Sequence, residues 1–172
     1  LPHPKMRSNS LAIVGDVMYV AHQTQVWGLP NSGMDIYDIS TPKAPKLIGN
    51  FDTGPSKGTH VLWCVDGQYA HLATAMPDAK PYSERDHQFY VIVDVNDPTK
   101  PVEAGRWWVP GVMEGDDVPA LERHFPDMGS SAHNTNVYPR RPDRAYCGFK
   151  DAGVIILDIA DKAHPKMISQ VD

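Results

Sequence analysis

The sequence predicts an all-β fold: a β-propeller of which this chain holds three four-stranded blades. Three observations predict it. A twelve-residue pattern recurs three times without a gap. Each copy follows a short apolar run, and an Asp/Gly turn between apolar residues lies further upstream. Repeated units of this size cannot bury a face alone and must stack on one another.

The repeat runs from Asp38 to Gly49, from Asp94 to Gly105 and from Asp158 to Ser169. Asp opens each copy and a β-branched residue follows. Pro stands at the eighth column, as Pro45, Pro101 and Pro165. The apolar runs just before are Met34 to Tyr37, Val91 to Val93 and Val154 to Leu157. The physical reading is a strand, a turn and a second strand. Pro fixes φ and has no N–H to give to a ladder, so it belongs in the turn. The Asp at the strand end is placed to accept hydrogen bonds from turn amides.

The other two strands of each repeat are marked upstream. Gly15-Asp16 separates Val14 from Val17, and Asp66-Gly67 separates Val65 from Gln68-Tyr69-Ala70. Arg141 to Cys147 is a looser version with an insertion in the turn. Such dipeptides between apolar runs signal hairpins. The blades therefore read as residues 10–53, 59–109 and 132–172 of one partial propeller spanning 1–172. The repeat Asp residues stand 56 and then 64 positions apart. A plain four-stranded blade needs about 40–45 residues. The excess predicts two inserted loops, 75–88 and 109–131. Three blades cannot close a ring, and the reading is a larger ring of roughly 6–8 blades. Exposed blade edges are prone to associate. Further blades are expected from another chain, a cleaved remainder or a symmetry mate. An open stack of three sheets is the competing architecture.

The strands Tyr90-Val91-Ile92-Val93-Asp94-Val95 and Val154-Ile155-Ile156-Leu157-Asp158-Ile159, each followed by its Pro turn, resemble the LVIVD repeat. The resemblance covers about residues 10–172 and implies a propeller of the kind that family forms in bacteria and archaea. It implies no particular activity, because the shared residues are structural. Blade 1 departs from the pattern with Asp35 and Tyr37 in its third strand. Blade 3 departs with Lys162 where the other blades have Pro42 and Pro98.

Composition narrows the function classes. Hydrophobic residues make up 41% and charged residues 22%, as in an ordinary soluble globular protein. The net charge of -5 argues against nucleic acid or an anionic membrane as partner, since both need a basic face. No apolar run approaches the ~20 residues of a membrane span. The first residues, Leu-Pro-His-Pro-Lys-Met-Arg, carry neither an initiator Met nor an apolar stretch like that of a secretory signal. A cytoplasmic location is favoured, and a processed N-terminus leaves export open. Cys64 and Cys147 read as two buried free thiols, with no second Cys nearby to suggest metal or redox work. No GxSxG elbow, P-loop, GxGxxG, HExxH or CxxC motif occurs, which disfavours the chemistries they support.

Candidate site residues follow from the architecture. In a propeller the first strand of each blade lines the channel. Two blades enter that strand with His in a small-residue setting, Gly58-Thr59-His60 and Ser131-Ala132-His133. Inward His residues suit an axial transition metal such as Fe, Zn or Mn. The competing reading makes both histidines repeat residues bonded to nearby backbone. Both inserted loops leave the blades at the end where these strands begin. Long loops on a rigid scaffold carry function or are disordered. The second loop offers His124, Glu122 and Glu114 as acid/base residues, with Arg123 beside them for substrate. Trp107 and Trp108 read as inter-blade packing or the wall of an aromatic pocket. His22 and His71, in second strands, read as structural. Two functions remain open. One is a small-molecule enzyme at the channel mouth, and the other is a non-catalytic scaffold or ligand-binding module.

Overall fold

The structure, a computed structural model, describes residues 5–30, 32–122 and 127–171. Strands β1 (Met6–Val14), β2 (Val17–Thr24), β3 (Gly33–Asp38) and β4 (Lys46–Asp52) form the first antiparallel sheet. Strands β5 (Thr59–Trp63), β6 (Tyr69–Thr74), β7 (Phe89–Asp94) and β8 (Val102–Trp107) form the second. The third contains β9 (Ala132–Tyr138), β10 (Arg141–Phe149), β11 (Gly153–Asp158) and β12 (Lys166–Val171). The expected all-β fold of three four-stranded blades is what the molecule adopts. Among the described residues, helix is confined to one 3-10 turn, Glu84–Asp86. No helix is long and apolar enough to cross a membrane.

The pairing registers make the blades superimposable by residue. Asp38 pairs with Val17, Asp94 with Tyr69 and Asp158 with Arg144. Each of these Asp side chains accepts the amide two residues on, from Ser40 at 2.8 Å, Asn96 at 2.9 Å and Ala160 at 2.9 Å. The recurring Asp is thus a turn-former, as its chemistry suggested.

The first strands meet at the inner side of the blades, with β1 beside β5 and β5 beside β9. Ser10 Oγ donates to the Leu62 carbonyl at 3.3 Å, and Trp63 Nε1 donates to the Val137 carbonyl at 2.6 Å. Blade 2 is packed on both faces. Val91 and Val93 point one way and Tyr90 and Ile92 the other, and all four are 0% exposed. His71 lies on the face toward blade 3, its Nδ1 2.7 Å from the Tyr90 hydroxyl, while Thr135 Oγ1 donates to the His71 carbonyl at 2.8 Å. Burial pushes His71 down to about 4, so it is neutral at physiological pH. Cys64 and Cys147 are free and buried, and burial raises both thiols, Cys64 to about 11.

Blade spacing depends on two glycines in outer strands. A Cβ on Gly49 would stand 2.0 Å from the Pro98 carbonyl oxygen, and one on Gly105 would stand 2.0 Å from that of Lys162. Gly49 and Gly105 occupy the same repeat column, and so do Pro98 and Lys162. The turn of each following blade therefore seats directly on bare backbone of the blade before it.

Candidate functional site at the channel mouth

Because the strands alternate in direction, the starts of β5 and β9 share one end of the blades with both inserted loops. The loops are knit together there. Pro81 pairs with Met113 in an isolated bridge, Tyr82 N–H donates to the Val112 carbonyl, and Glu114 N–H donates to the Lys80 carbonyl. The 3-10 turn is capped by Ser83, whose Oγ accepts the Arg85 amide. Its buried Asp86 accepts the Ser130 amide at 2.6 Å. Two segments flagged as loops are thus a built surface.

His60 and His133 come together beside that surface. Their ring centroids lie 4.8 Å apart, edge to face. His60 is half-buried and His133 exposed. Neither leans on backbone. His60 Nδ1 is 3.0 Å from Gln23 Oε1, and His133 Nδ1 is 2.8 Å from Asn134 Oδ1. Arg7 Nη2 donates to the same Gln23 oxygen at 2.8 Å, and a guanidinium has only donors, so that atom is an acceptor. Asn9 Nδ2 sits between, 2.6 Å from Gln23 Oε1 and 3.1 Å from His60 Nδ1, and its shorter bond goes to the oxygen. His60 Nδ1 then carries the proton and Nε2 keeps its lone pair. His133 Nδ1 faces the Asn134 side-chain oxygen, which accepts, so that nitrogen is the donor. Burial lowers the His60 pKa, and charge interactions with His133, Arg7 and Lys150 lower it further. His60 is neutral at pH 7.

The other expected residues lie elsewhere. Trp107 stacks edge-on against Phe149 of blade 3 at 5.5 Å. Trp108 meets Phe89 at 5.7 Å and donates from Nε1 to Asp116 Oδ1 at 2.8 Å. Both line a hollow of about 290 Å³ at the outer rim, with Arg106, Asp117 and Val118. Glu114 lines a neighbouring hollow with Asp78, Lys80 and Arg106. Glu122 is exposed. His124 and Arg123 lie outside the described residues. Among the described residues, no hydrogen bond or ion pair joins Glu114 or Glu122 to the histidine pair, and no group of three His, Cys, Asp or Glu is placed to hold a metal.

His22, read as structural, is buried on the open face of blade 1. Its Nε2 is 2.9 Å from Asp35 Oδ2, and its Nδ1 is 3.2 Å from Ser8 Oγ. Burial alone would raise the Asp35 carboxyl, but bonds from His22 and Asn50 outweigh it and hold the group below its ordinary value.

Sequence reasoning missed a cationic hollow at the same end. Lys57 comes from the link between blades 1 and 2, Arg85 and His87 from the first inserted loop, and Lys150 from the β10–β11 turn. They share no motif because they come from three separate connections. The one available signal was topological, since all three connections emerge at the end where β5 and β9 begin.

The model of the LVIVD repeat matches residues 7–53, 87–108 and 143–172, which is more than half of the chain. The chain belongs to the LVIVD-repeat family. None of the curated proteins matches it. The three matched segments of this LVIVD chain fall largely on strands of the three blades. The inserted loop 109–131 lies outside the match, as do most of loop 75–88 and both histidines of the pair. Strands β5, β6 and β9 lie outside the match as well, so it covers blade 1 and the outer strands of blades 2 and 3.

Proposed function

We propose that this LVIVD chain contributes to a propeller enzyme acting on a small molecule at the channel mouth. His60 and His133 supply two imidazole ligands to a transition metal, Fe, Zn or Mn, and the remaining ligands come from further blades of the ring. The observation that supports this is the pairing of two imidazole rings 4.8 Å apart, each facing a side-chain amide oxygen through Nδ1. Histidines that bind metals are held in this way: the second nitrogen donates to a fixed acceptor, which orients the ring and frees Nε2. A metal so placed would act on a substrate oxygen as a Lewis acid or activate water.

Metal content of the native assembly, measured by mass spectrometry alongside its subunit mass, tests this. A stoichiometric transition metal that is lost in His60→Ala and in His133→Ala is the expected result. A closed ring without one removes the metal and leaves a non-catalytic ligand-binding propeller as the better account.

A further inference from the structure

We infer that the hollow formed by Lys57, Arg85, His87 and Lys150 is an anion-binding subsite, taking the carboxylate or phosphate of a small organic molecule. The hollow measures about 550 Å³, within the ~300–1,000 Å³ of small-molecule sites. It is open to solvent on one side. Glu84 and Asp127 also line it. Asp127 Oδ1 accepts the Gly129 amide at 2.6 Å and Glu84 is exposed, so the lining sets three cations and His87 against two carboxylates. Among the described residues neither Lys57 nor Lys150 has a carboxylate partner. The lining is thus net positive by one charge in a chain of net charge -5.

The local potential supports the assignment independently. Burial lowers the His87 pKa, and Lys57 and Lys150 lower it further, despite its bond to the Glu84 carbonyl. The ring of His87 is oriented, because Nδ1 lies 2.5 Å from the Glu84 carbonyl, which only accepts. Nδ1 is the protonated nitrogen and Nε2 keeps its lone pair.

Apolar surface stands beside the charge. Met128, 65% exposed, lines the hollow. Trp27, 44% exposed, touches two lining residues: the Lys57 ammonium sits 5.1 Å from its ring centroid and the His87 ring lies 5.9 Å away, edge-on. A ligand with an oxyanion head and a planar apolar body fits both surfaces. The head would bond the two lysines and the Arg85 guanidinium, and the body would cover Met128 and Trp27. Charge-assisted bonds to an oxyanion are the stronger kind, and an exposed methionine and tryptophan gain by being covered. The subsite needs no metal and stands apart from the metal reading.

Calorimetric titration of the native protein with inorganic phosphate and, separately, with benzoate is the test. Saturable binding of either probe is expected, weakened by added salt. Lys57→Gln and Lys150→Gln should each weaken it by roughly tenfold. Lys57→Arg should restore most of it, and Lys100→Gln, in a distant turn, should change nothing. Binding of benzoate alone identifies a carboxylate ligand, and binding of phosphate alone a phosphate ester. Both outcomes support the subsite. Absence of saturable binding by either probe overturns the inference, as does affinity unchanged in both lysine variants. Metal content is measured on the same samples. It should survive Lys57→Gln, while anion binding should survive His60→Ala, so the two sites stand or fall separately.

Discussion

Blade 2 and the outward faces of blades 1 and 3 are made of the same repeat positions in different surroundings. In blade 2 the third-strand residues Tyr90 and Ile92 are 0% exposed against blade 3. Their counterparts in blade 3 are less covered: Val154 is 47% exposed and Ile156 is half-buried. On the opposite face Val91 and Val93 are likewise 0% exposed, while blade 1 puts Asp35 and Tyr37 in their place. The contrast teaches that burial here belongs to the neighbour and not to the strand. One face of a blade is half of a core, and the outward face of blade 3 keeps apolar residues at the positions that blade 2 buries.

The sharpest way to break the comparison is a matched pair of truncations. Ile92→Ala should cost about 4 kcal/mol in urea unfolding, and Ile156→Ala about 1 kcal/mol in the chain alone. In the assembled ring the second loss should approach the first. Equal losses in the isolated chain would refute the argument from neighbours.

Acid should act next most strongly, and at the buried face. His71 titrates near 4 in the fold, and an unfolded His near 6.5. The unfolded chain thus binds the extra proton in the interval between, and stability falls as pH drops from about 6.5 to about 4. The loss should reach roughly 3 kcal/mol, present in the parent and reduced in His71→Gln. His60 and His87 are also depressed and act in the same direction. Thermal melts that do not move between pH 7 and pH 4.5 would contradict it.

The smallest effects concern the spacing glycines. Gly105→Ala should cost roughly 2 kcal/mol, because its Cβ has no room beneath the Lys162 carbonyl. Ser169→Gly, at the same column of blade 3, should change the stability of the chain by less than about 0.5 kcal/mol. Similar losses at both positions would mean that contact between blades does not set the requirement.

The fold was legible because its signals are local. Asp38, Asp94 and Asp158 each bond an amide two residues away, and Pro45, Pro101 and Pro165 stand at one column, so a linear reading finds them. His60 and His133 were legible for a related reason, since repeat position placed both at the start of a first strand. The partners of His60 were not, because Gln23 and Asn9 reach it from another blade and Arg7 acts on it through Gln23. Trp107 and Trp108, read as inter-blade packing or the wall of an aromatic pocket, sit at the end of β8, the outermost strand of its blade, where Trp107 packs on Phe149 of blade 3 and both line the rim hollow. Lys57 and Lys150 stand far apart in the chain, and no spacing rule links them.

Gly49 and Gly105 let each blade seat against the next with no side chain between, but the same column of blade 3 holds Ser169. A blade that follows blade 3 cannot settle to the same depth over that side chain. In a ring closed by a further blade on blade 3, the step after the third blade would be wider than the two before it, a seam set by one side chain. A ring made from two copies would carry two such seams, diametrically opposed, and would open there first.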